Sequence, residues 1–485
     1  MADQSKVEIS REEGGKDPIW KSKSAKHYLD LKRITVEPVT FCYACALILH
    51  MPLIQQFVYQ RISEQRGIKT TMYENDKSSA CESPSTDVHE QETRNDVQAL
   101  TAYIHLGVIL SASLPSLFTS LLWGTWSDKV GRKVILLLPV AGGAIDSICI
   151  IVTIYARLPL YYLFIGGFIH GICGFFTTMI LAVFAYIADI TSEQSRATRL
   201  GVIEAVAFIS GMTSHLTSGW WIRHLGFMAP YLFILALHTF SLGYIICVLP
   251  ESMQNREKYS FKGLFTSNHL TRVFKIFKSA TEHIQKLLFG LLLTSAVMMT
   301  TSIGFGSVIV LYTLDAPFCF SPIMIGYFLA CSMFTQAIGA LFALFVLSKC
   351  FSEIMLTQIG FLSIIGSLVM LALIKEKSLT FVVPLVGSFG AVCMPIIRAK
   401  MSKLIAPEDQ GTLFAAVATL ETLCTLLGAA VFNSLYPYSV THLQFKGFSF
   451  LVMAATMLIP CITMCWVSVY ESKITTTVPN DDVAD

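Results

Sequence analysis

Several charged side chains stand in stretches apolar enough to cross a bilayer. Glu204 lies in "GVIEAVAFISG", Asp146 in "GGAIDSICII" and Glu421 in "LFAAVATLETL", while Arg398 closes the run "LTFVVPLVGSFGAVCMPII" and Asp189 closes "FAYIAD". An ionisable group inside an apolar helix is costly and usually faces a cavity or a partner. Removal from water favours the proton-bound form of a carboxylate, so Glu204 can carry a proton; it can equally be a structural hydrogen-bond partner to a Ser or Thr of a neighbouring helix. Asp146 and Glu421 are candidates on the same ground. Arg398, with Lys400 and Lys403 just beyond it, has two readings: a cation that neutralises an anion or holds a gate, or a charge snorkelling at a helix end. Pro395, one turn earlier, can loosen the helix and turn Arg398 inward. His170, His215 and His238 also lie in apolar runs, where a histidine is a core residue more often than a proton relay. No H-E-x-x-H, G-x-S-x-G or G-x-x-x-x-G-K-S/T occurs, so the sequence carries no enzyme signature. It also shows no metal site and implies no cofactor beyond a coupling proton.

The elements that must hold these residues are membrane helices. Of 485 residues, 54% are hydrophobic and 14% charged, with a mean hydropathy of +0.61; a soluble protein carries about 25% charged residues. A net charge of +2 and the absence of basic blocks interleaved with aromatics exclude a nucleic-acid partner. Most of the 13 cysteines fall in apolar runs, and Cys42 and Cys45 have C-x-x-C spacing inside a span, where a redox or metal role is disfavoured. A span needs about 20 apolar residues, which gives twelve: 34–59, 99–123, 134–156, 159–188, 198–222, 227–249, 285–312, 322–348, 353–374, 378–401, 411–436 and 446–470, numbered spans 1 to 12 below.

The expected organisation is all-α and integral to the membrane. It comprises an N-terminal segment 1–33, a six-helix bundle 34–249, a basic linker 250–284, a second six-helix bundle 285–471 and a tail 472–485. The first 33 residues are polar, with eight Lys/Arg against six Asp/Glu, and contain no cleavable leader. Positive charge at the N-terminal segment, the 2/3 turn, the 4/5 turn, the linker and the 10/11 turn alternates onto one side, so both termini are expected in the cytosol. The loop 60–98 has eight acids against five basic residues and is expected on the opposite side. Two halves joined by a linker suggest a rocking transporter. A loose internal repeat relates "ADITSEQSRATRLGVIEA" to "SKLIAPEDQGTLFAAVATLE": each closes a helix in a polar turn with an acid, Asp189 in the first, and opens a helix that carries a glutamate.

"GTWSDKVGRK", Gly124 to Lys133, fits the G-x-x-x-D-x-x-G-R-K/R signature of the major facilitator superfamily, in the loop between spans 2 and 3 where that superfamily has it. Gly124 permits close helix approach and Gly131 a tight turn. Asp128 can accept bonds from Arg132 and from a helix N-terminus. With Lys133 these residues form a conformational latch expected to favour the outward-open state.

Beyond the superfamily, the chain resembles solute carrier family 46, the proton-coupled folate transporter and its relatives. The resemblance rests on "VEPVTF", "YIADITSEQSR", "LYTLDAPFCFSPIMIGY", "IIRAKMSKL", "EDQGTLFAAVA", "FNSLYP" and "KGFSFL". It implies the major facilitator fold and proton-driven uptake of an organic anion. The family's acid in span 5 and arginine late in span 10 correspond to Glu204 and Arg398. Where the folate transporter has an arginine and an aspartate in span 4 and a histidine in span 7, this chain has Gly167, Phe175 and Ser302. Those departures weigh against folate, and "CGFFTTMILAVFAYIAD" together with "LFAAVATLETL" resembles the lysosomal branch, which implies muropeptides, steroid conjugates or lysosomal catabolites as substrates, at the plasma membrane or an endolysosomal membrane; a genuine proton-coupled folate transporter is the alternative within the family. Cys81 and Cys319 stand where the family has a disulfide between loops. The reading of a different class is a non-transporting receptor or scaffold on the same fold, and Glu204→Gln separates the two.

Overall fold

The computed structural model describes residues 34–67, 88–191, 193–253, 281–405 and 410–477; within its helices, the side chains of Asp128 and Glu204 lie outside the described set, and so does Cys81. Spans 1, 2 and 3 are the helices Glu37–Gln65, Val88–Val130 and Arg132–Tyr155; spans 5 and 6 are Glu193–Leu225 and Met228–Cys247. In the second half, spans 7, 8 and 9 are Glu282–Leu314, Pro322–Phe345 and Glu353–Leu373, and span 11 is Gln410–Thr441. Ser321 and Ser352 mark two helix starts, their hydroxyls accepting from the Met324 and Met355 amides at 3.4 and 3.3 Å.

Among the described residues eleven of the twelve spans are long and apolar enough to cross a membrane. The twelfth, Glu193–Leu225, is long enough at 33 residues but carries Ser210, Thr213, Ser214, His215, Thr217 and Ser218 in its second half. Ser210, Thr213, Thr217 and Ser218 bond back to main-chain carbonyls of the helix, as Ser210 does to Val206 at 2.7 Å and Ser218 to His215 at 2.9 Å, while Ser214 donates to the Cys45 carbonyl of span 1 at 3.0 Å, so these hydroxyls are satisfied without water. Spans 1 and 2 run past their apolar stretches into the 60–98 loop, supported by polar pairs four residues apart such as Gln60 to Glu64 at 2.6 Å.

Three spans are interrupted. Span 4 is a short 3₁₀ turn followed by Leu163–Ile172 and Phe175–Ile190, broken at Gly174, whose φ of +95° an L side chain rarely adopts. Span 10 is Lys377–Thr380, Val383–Val386, the 3₁₀ segment Ser388–Val392 and Cys393–Lys403. Pro384, Gly387 and Gly390 account for its loosening, which lies upstream of Pro395; Pro395 sits in the first turn of the last helix, where a missing N–H is harmless. Span 12 is Phe448–Thr456 and Leu458–Thr477. Spans 4 and 10 hold equivalent places in the two halves.

Each half has its own apolar core. Val36, Tyr43, Leu136, Val140, Tyr186 and Ile187 pack in the first half, and Leu291, Val308, Phe361, Met401 and Phe450 in the second. The halves meet through polar pairs: Gln55 Nε2 donates to the Ser307 carbonyl at 3.1 Å, Tyr436 Oη to Gln98 Oε1 at 2.9 Å, and His105 Nδ1 lies 3.4 Å from Asn433 Oδ1. Span 5 lies directly on span 8, where a Cβ on Gly219 would come within 2.1 Å of the Pro322 carbonyl. All of these contacts fall toward the end of the bundle that carries the 7/8 loop. One more, between Thr177 and Thr422 at 2.8 Å, joins spans 4 and 11 nearer mid-helix.

Candidate functional site

Spans 10 and 11 bring Arg398 and Glu421 together. Arg398 Nη2 donates to Glu421 Oε1, with the two side chains 29% and 12% exposed. The sequence puts 22 residues and a turn between them; antiparallel helices close that gap. Helical spacing splays the three cations of span 10 toward three different neighbours. Lys400 pairs with Glu471 of span 12 at 3.0 Å, and Lys403 with Glu353 of span 9 at 2.7 Å. Lys400 and Lys403 thus fasten the end of span 10 to its own half. Arg398 instead points at a helix that forms the seam: Thr422, next to Glu421, shares a hydrogen bond with Thr177 of span 4, and Thr425 donates to the Glu421 carbonyl at 2.9 Å. A cation and an anion beside a seam can exchange partners. Protonating Glu421 removes the carboxylate charge that faces Arg398 Nη2, a place that an anionic solute can take.

Asp189, at the end of span 4, turns its side chain to the 2/3 turn instead. Arg132 Nε donates to Asp189 Oδ2 at 3.0 Å, Ser252 Oγ donates to the same oxygen at 2.8 Å, and Arg132 Nη1 reaches Ser127 Oγ at 2.7 Å. Glu251, just beyond span 6, accepts from the Arg132 amide at 2.8 Å and from the Lys133 amide at 3.3 Å, so its carboxylate sits at the N-terminus of span 3. Lys133 Nζ donates to the Ile246 carbonyl at 2.9 Å. Gly131 makes the turn possible: its φ is +115°, and a Cβ there would lie 2.5 Å from Glu251 Oε2. Gly124 leaves space beside span 4, with Leu181 Cδ1 4.0 Å from where its Cβ would stand. Spans 2, 3, 4 and 6 are therefore tied at one point. Glu251 and Ser252 escaped the sequence analysis because "LPES" reads as the start of the linker.

A second ion pair at the same end, Arg199 with Glu37 at 2.7 Å, fastens span 5 to span 1. Glu204 lies five residues farther along the span 5 helix, so the peptide that carries it is anchored even though its side chain is outside the described set. Asp146 is grouped with His170, whose Nδ1 is 3.9 Å from Asp146 Oδ2, and His238 lies nearby; His215 is buried separately in span 5. The position of the folate transporter's span 4 arginine has no room here, since a Cβ on Gly167 would meet Ser111 Oγ at 2.4 Å. Phe175 stands just past the span 4 break with its ring 4.8 Å from that of His170, and Ser302 is exposed on span 7. Cys319 is disulfide-bonded, and the eleven other described cysteines are free.

The sequence profile of the Major Facilitator Superfamily matches residues 38–429. The chain is 32% identical over 442 residues to the "Lysosomal proton-coupled steroid conjugate and bile acid symporter SLC46A3" of Gallus gallus, covering 90% of this chain and 94% of that one. It is 30% identical over 451 residues to the proton-coupled folate transporter of Bos taurus, covering 93% and 94%. Among solved structures, the POT family transporter PepTSo is similar with a TM-score of 0.64 at 10% identity, over 94% of this chain and 99% of that one. The human organic anion transporter MFSD10 is similar with a TM-score of 0.58 at 17% identity, over 88% and 98%. The fold is the one these transporters share, and the chain is a multi-pass membrane transporter, not an enzyme. It belongs to the Major Facilitator Superfamily and, within it, to solute carrier family 46, nearer the lysosomal branch than the folate transporter.

Proposed function

We propose that the protein moves an organic anion together with protons across an endolysosomal or plasma membrane. The observation that carries this reading is the Arg398–Glu421 ion pair, half-withdrawn from solvent beside the span 4–span 11 seam. The ionised carboxylate occupies the guanidinium. A proton bound to Glu421 releases it, and the substrate's anionic group takes its place on Arg398. Glu204, on the helix held to span 1 by Arg199 and Glu37, acts as a second proton carrier. The interruptions in spans 4 and 10 support a binding region between the halves, because broken helices in equivalent places mark where transporters of this type hold their solute.

The Gly124–Lys133 turn, with Asp128 and Asp189, acts as the latch of the first half. The 2/3, 4/5 and 10/11 turns face the cytosol. Relatives named as a symporter of steroid conjugates and bile acids and as a transporter of folate support a bulky anion as substrate. Gly167, in place of the folate transporter's arginine, favours a steroid conjugate or a muropeptide over folate. Uptake of folate, a muramyl peptide and a steroid sulfate, measured at pH 5.5 and 7.5 with Glu204→Gln as control, tests the reading. A steroid sulfate or muramyl peptide is expected to enter faster at pH 5.5, and Glu204→Gln to abolish the difference; uptake indifferent to pH for every solute would refute coupling.

A further inference from the structure

Away from the Arg398–Glu421 pair, the interior of the first half holds a group of titratable side chains around Asp146, whose side chain is 13% exposed. Spans 1, 3, 4 and 6 surround a small cavity of about 20 Å³ lined by Tyr43, His50, Asp146, His170 and His238. That is room for a water or two and far too little for an organic solute. Tyr43, His170 and His238 are 3%, 5% and 4% exposed. Tyr43 Oη lies 3.2 Å from His170 Nε2, and the Tyr43 ring meets the His238 ring edge to face at 5.7 Å. The remaining titratable groups around Asp146 are Cys149 on its own helix, Cys173 on span 4 and Tyr231 on span 6.

The lining contains no lysine or arginine, and the Asp146 carboxylate accepts no hydrogen bond among the described residues. A bare carboxylate there would be a buried charge with no fixed counter-charge, which a bilayer protein does not tolerate cheaply. One proton makes the group neutral overall, either on Asp146 or on His170 as an ion pair with it. The hydroxyl of Tyr43 accommodates both arrangements: it donates to Nε2 when the imidazole is neutral and accepts from it when the imidazole is charged. No three of the described His, Cys, Asp or Glu side chains are placed to hold a metal ion.

We infer that Asp146, His170 and Tyr43, with His238 at the cavity wall, form a proton-binding site inside the first half, separate from Glu204 and Glu421. Its position gives the bound proton a lever on transport. His170 and Phe175 flank the break in span 4, and Thr177, two residues on, makes the hydrogen bond to Thr422 at the seam. Gain or loss of charge at Asp146 and His170 therefore acts on the same joint that carries the Glu421 helix.

The role in coupling rests on the proton-driven reading above, whereas occupancy of the site does not, and the test separates them. Infrared difference spectra of the full-length protein in nanodiscs, recorded while pH is varied between about 5 and 8, should contain a carboxyl or carboxylate band that disappears in Asp146→Asn and survives in Glu204→Gln. Spectra of Asp146→Asn identical to those of the unaltered protein would overturn the inference. Should Asp146→Asn fail to fold, Tyr43→Phe removes only a hydroxyl and must move the titration midpoint of that band; an unmoved midpoint overturns the inference as well. A titrating Asp146 band in a protein whose uptake ignores pH would leave the site standing and remove the coupling.

Discussion

Glu421→Gln imitates the proton-bound carboxylate, and the structure says what that should do to substrate affinity. In the described geometry Glu421 holds Arg398 through a charge-assisted hydrogen bond, an interaction that contributes about 1.5–3 kcal/mol when withdrawn from water. Arg398 is 29% exposed and Glu421 12%, so screening favours the lower part of that range, about 1.5–2 kcal/mol. A substrate anion must displace Glu421 at neutral pH, and the amide of glutamine competes only weakly for the guanidinium. The Kd of a steroid sulfate at pH 7.5 should therefore fall by about tenfold to thirtyfold in Glu421→Gln. Arg398→Lys should not reproduce this, because a point ammonium lacks the planar fork that faces the carboxylate. Equilibrium binding of the radiolabelled sulfate to purified protein at pH 7.5 reads both effects. An unchanged Kd at pH 7.5 in Glu421→Gln would refute the competition.

The latch and the seam give further expectations. Gly131→Ala places a methyl carbon against Glu251 at a φ of +115°; strain of about 1–3 kcal/mol should lower the thermal midpoint of the purified protein and slow transport, and an unshifted midpoint would show that the turn relaxes freely. Thr177→Cys with Thr422→Cys, at positions whose hydroxyls are 2.8 Å apart, should form a disulfide under mild oxidant that arrests uptake until reductant is added; complete cross-linking with undiminished uptake would mean that spans 4 and 11 need not part. Peptide mapping of the unreduced protein should recover Cys319 bonded to Cys81, and recovery of Cys81 as a free thiol in most molecules would contradict that pairing.

Much of the architecture is legible in the residues because bilayer-length apolar runs leave few alternatives. Eleven of the twelve spans follow from length and composition. The twelfth depends on span 5, where serines and threonines that bond back to the helix dilute the apolar signal without weakening the helix. The breaks in spans 4 and 10 are harder to see: "GICGFF" and "VGSFGAV" are apolar enough to pass as continuous helix, and only the backbone shows the positive φ at Gly174 and the 3₁₀ segment Ser388–Val392. At the site, the types of Arg398, Glu421 and Asp146 mark them as costly and therefore purposeful. Their partners are another matter. That Arg398 meets Glu421 while Lys400 and Lys403 turn to Glu471 and Glu353 follows from helix rotation and tilt, which no single run of residues encodes. Asp189 shows the converse: its type suggests a binding residue, and its partners Arg132 and Ser252 hold it at the end of span 4 against the 2/3 turn.

The most direct test of proton-driven anion transport is the proton movement itself. Purified protein reconstituted into liposomes loaded with a pH-sensitive dye should acidify the lumen when a steroid sulfate or muramyl peptide is added outside, with no imposed pH gradient, and Glu204→Gln should remove that signal. Substrate accumulation with no accompanying change in internal pH would contradict the account.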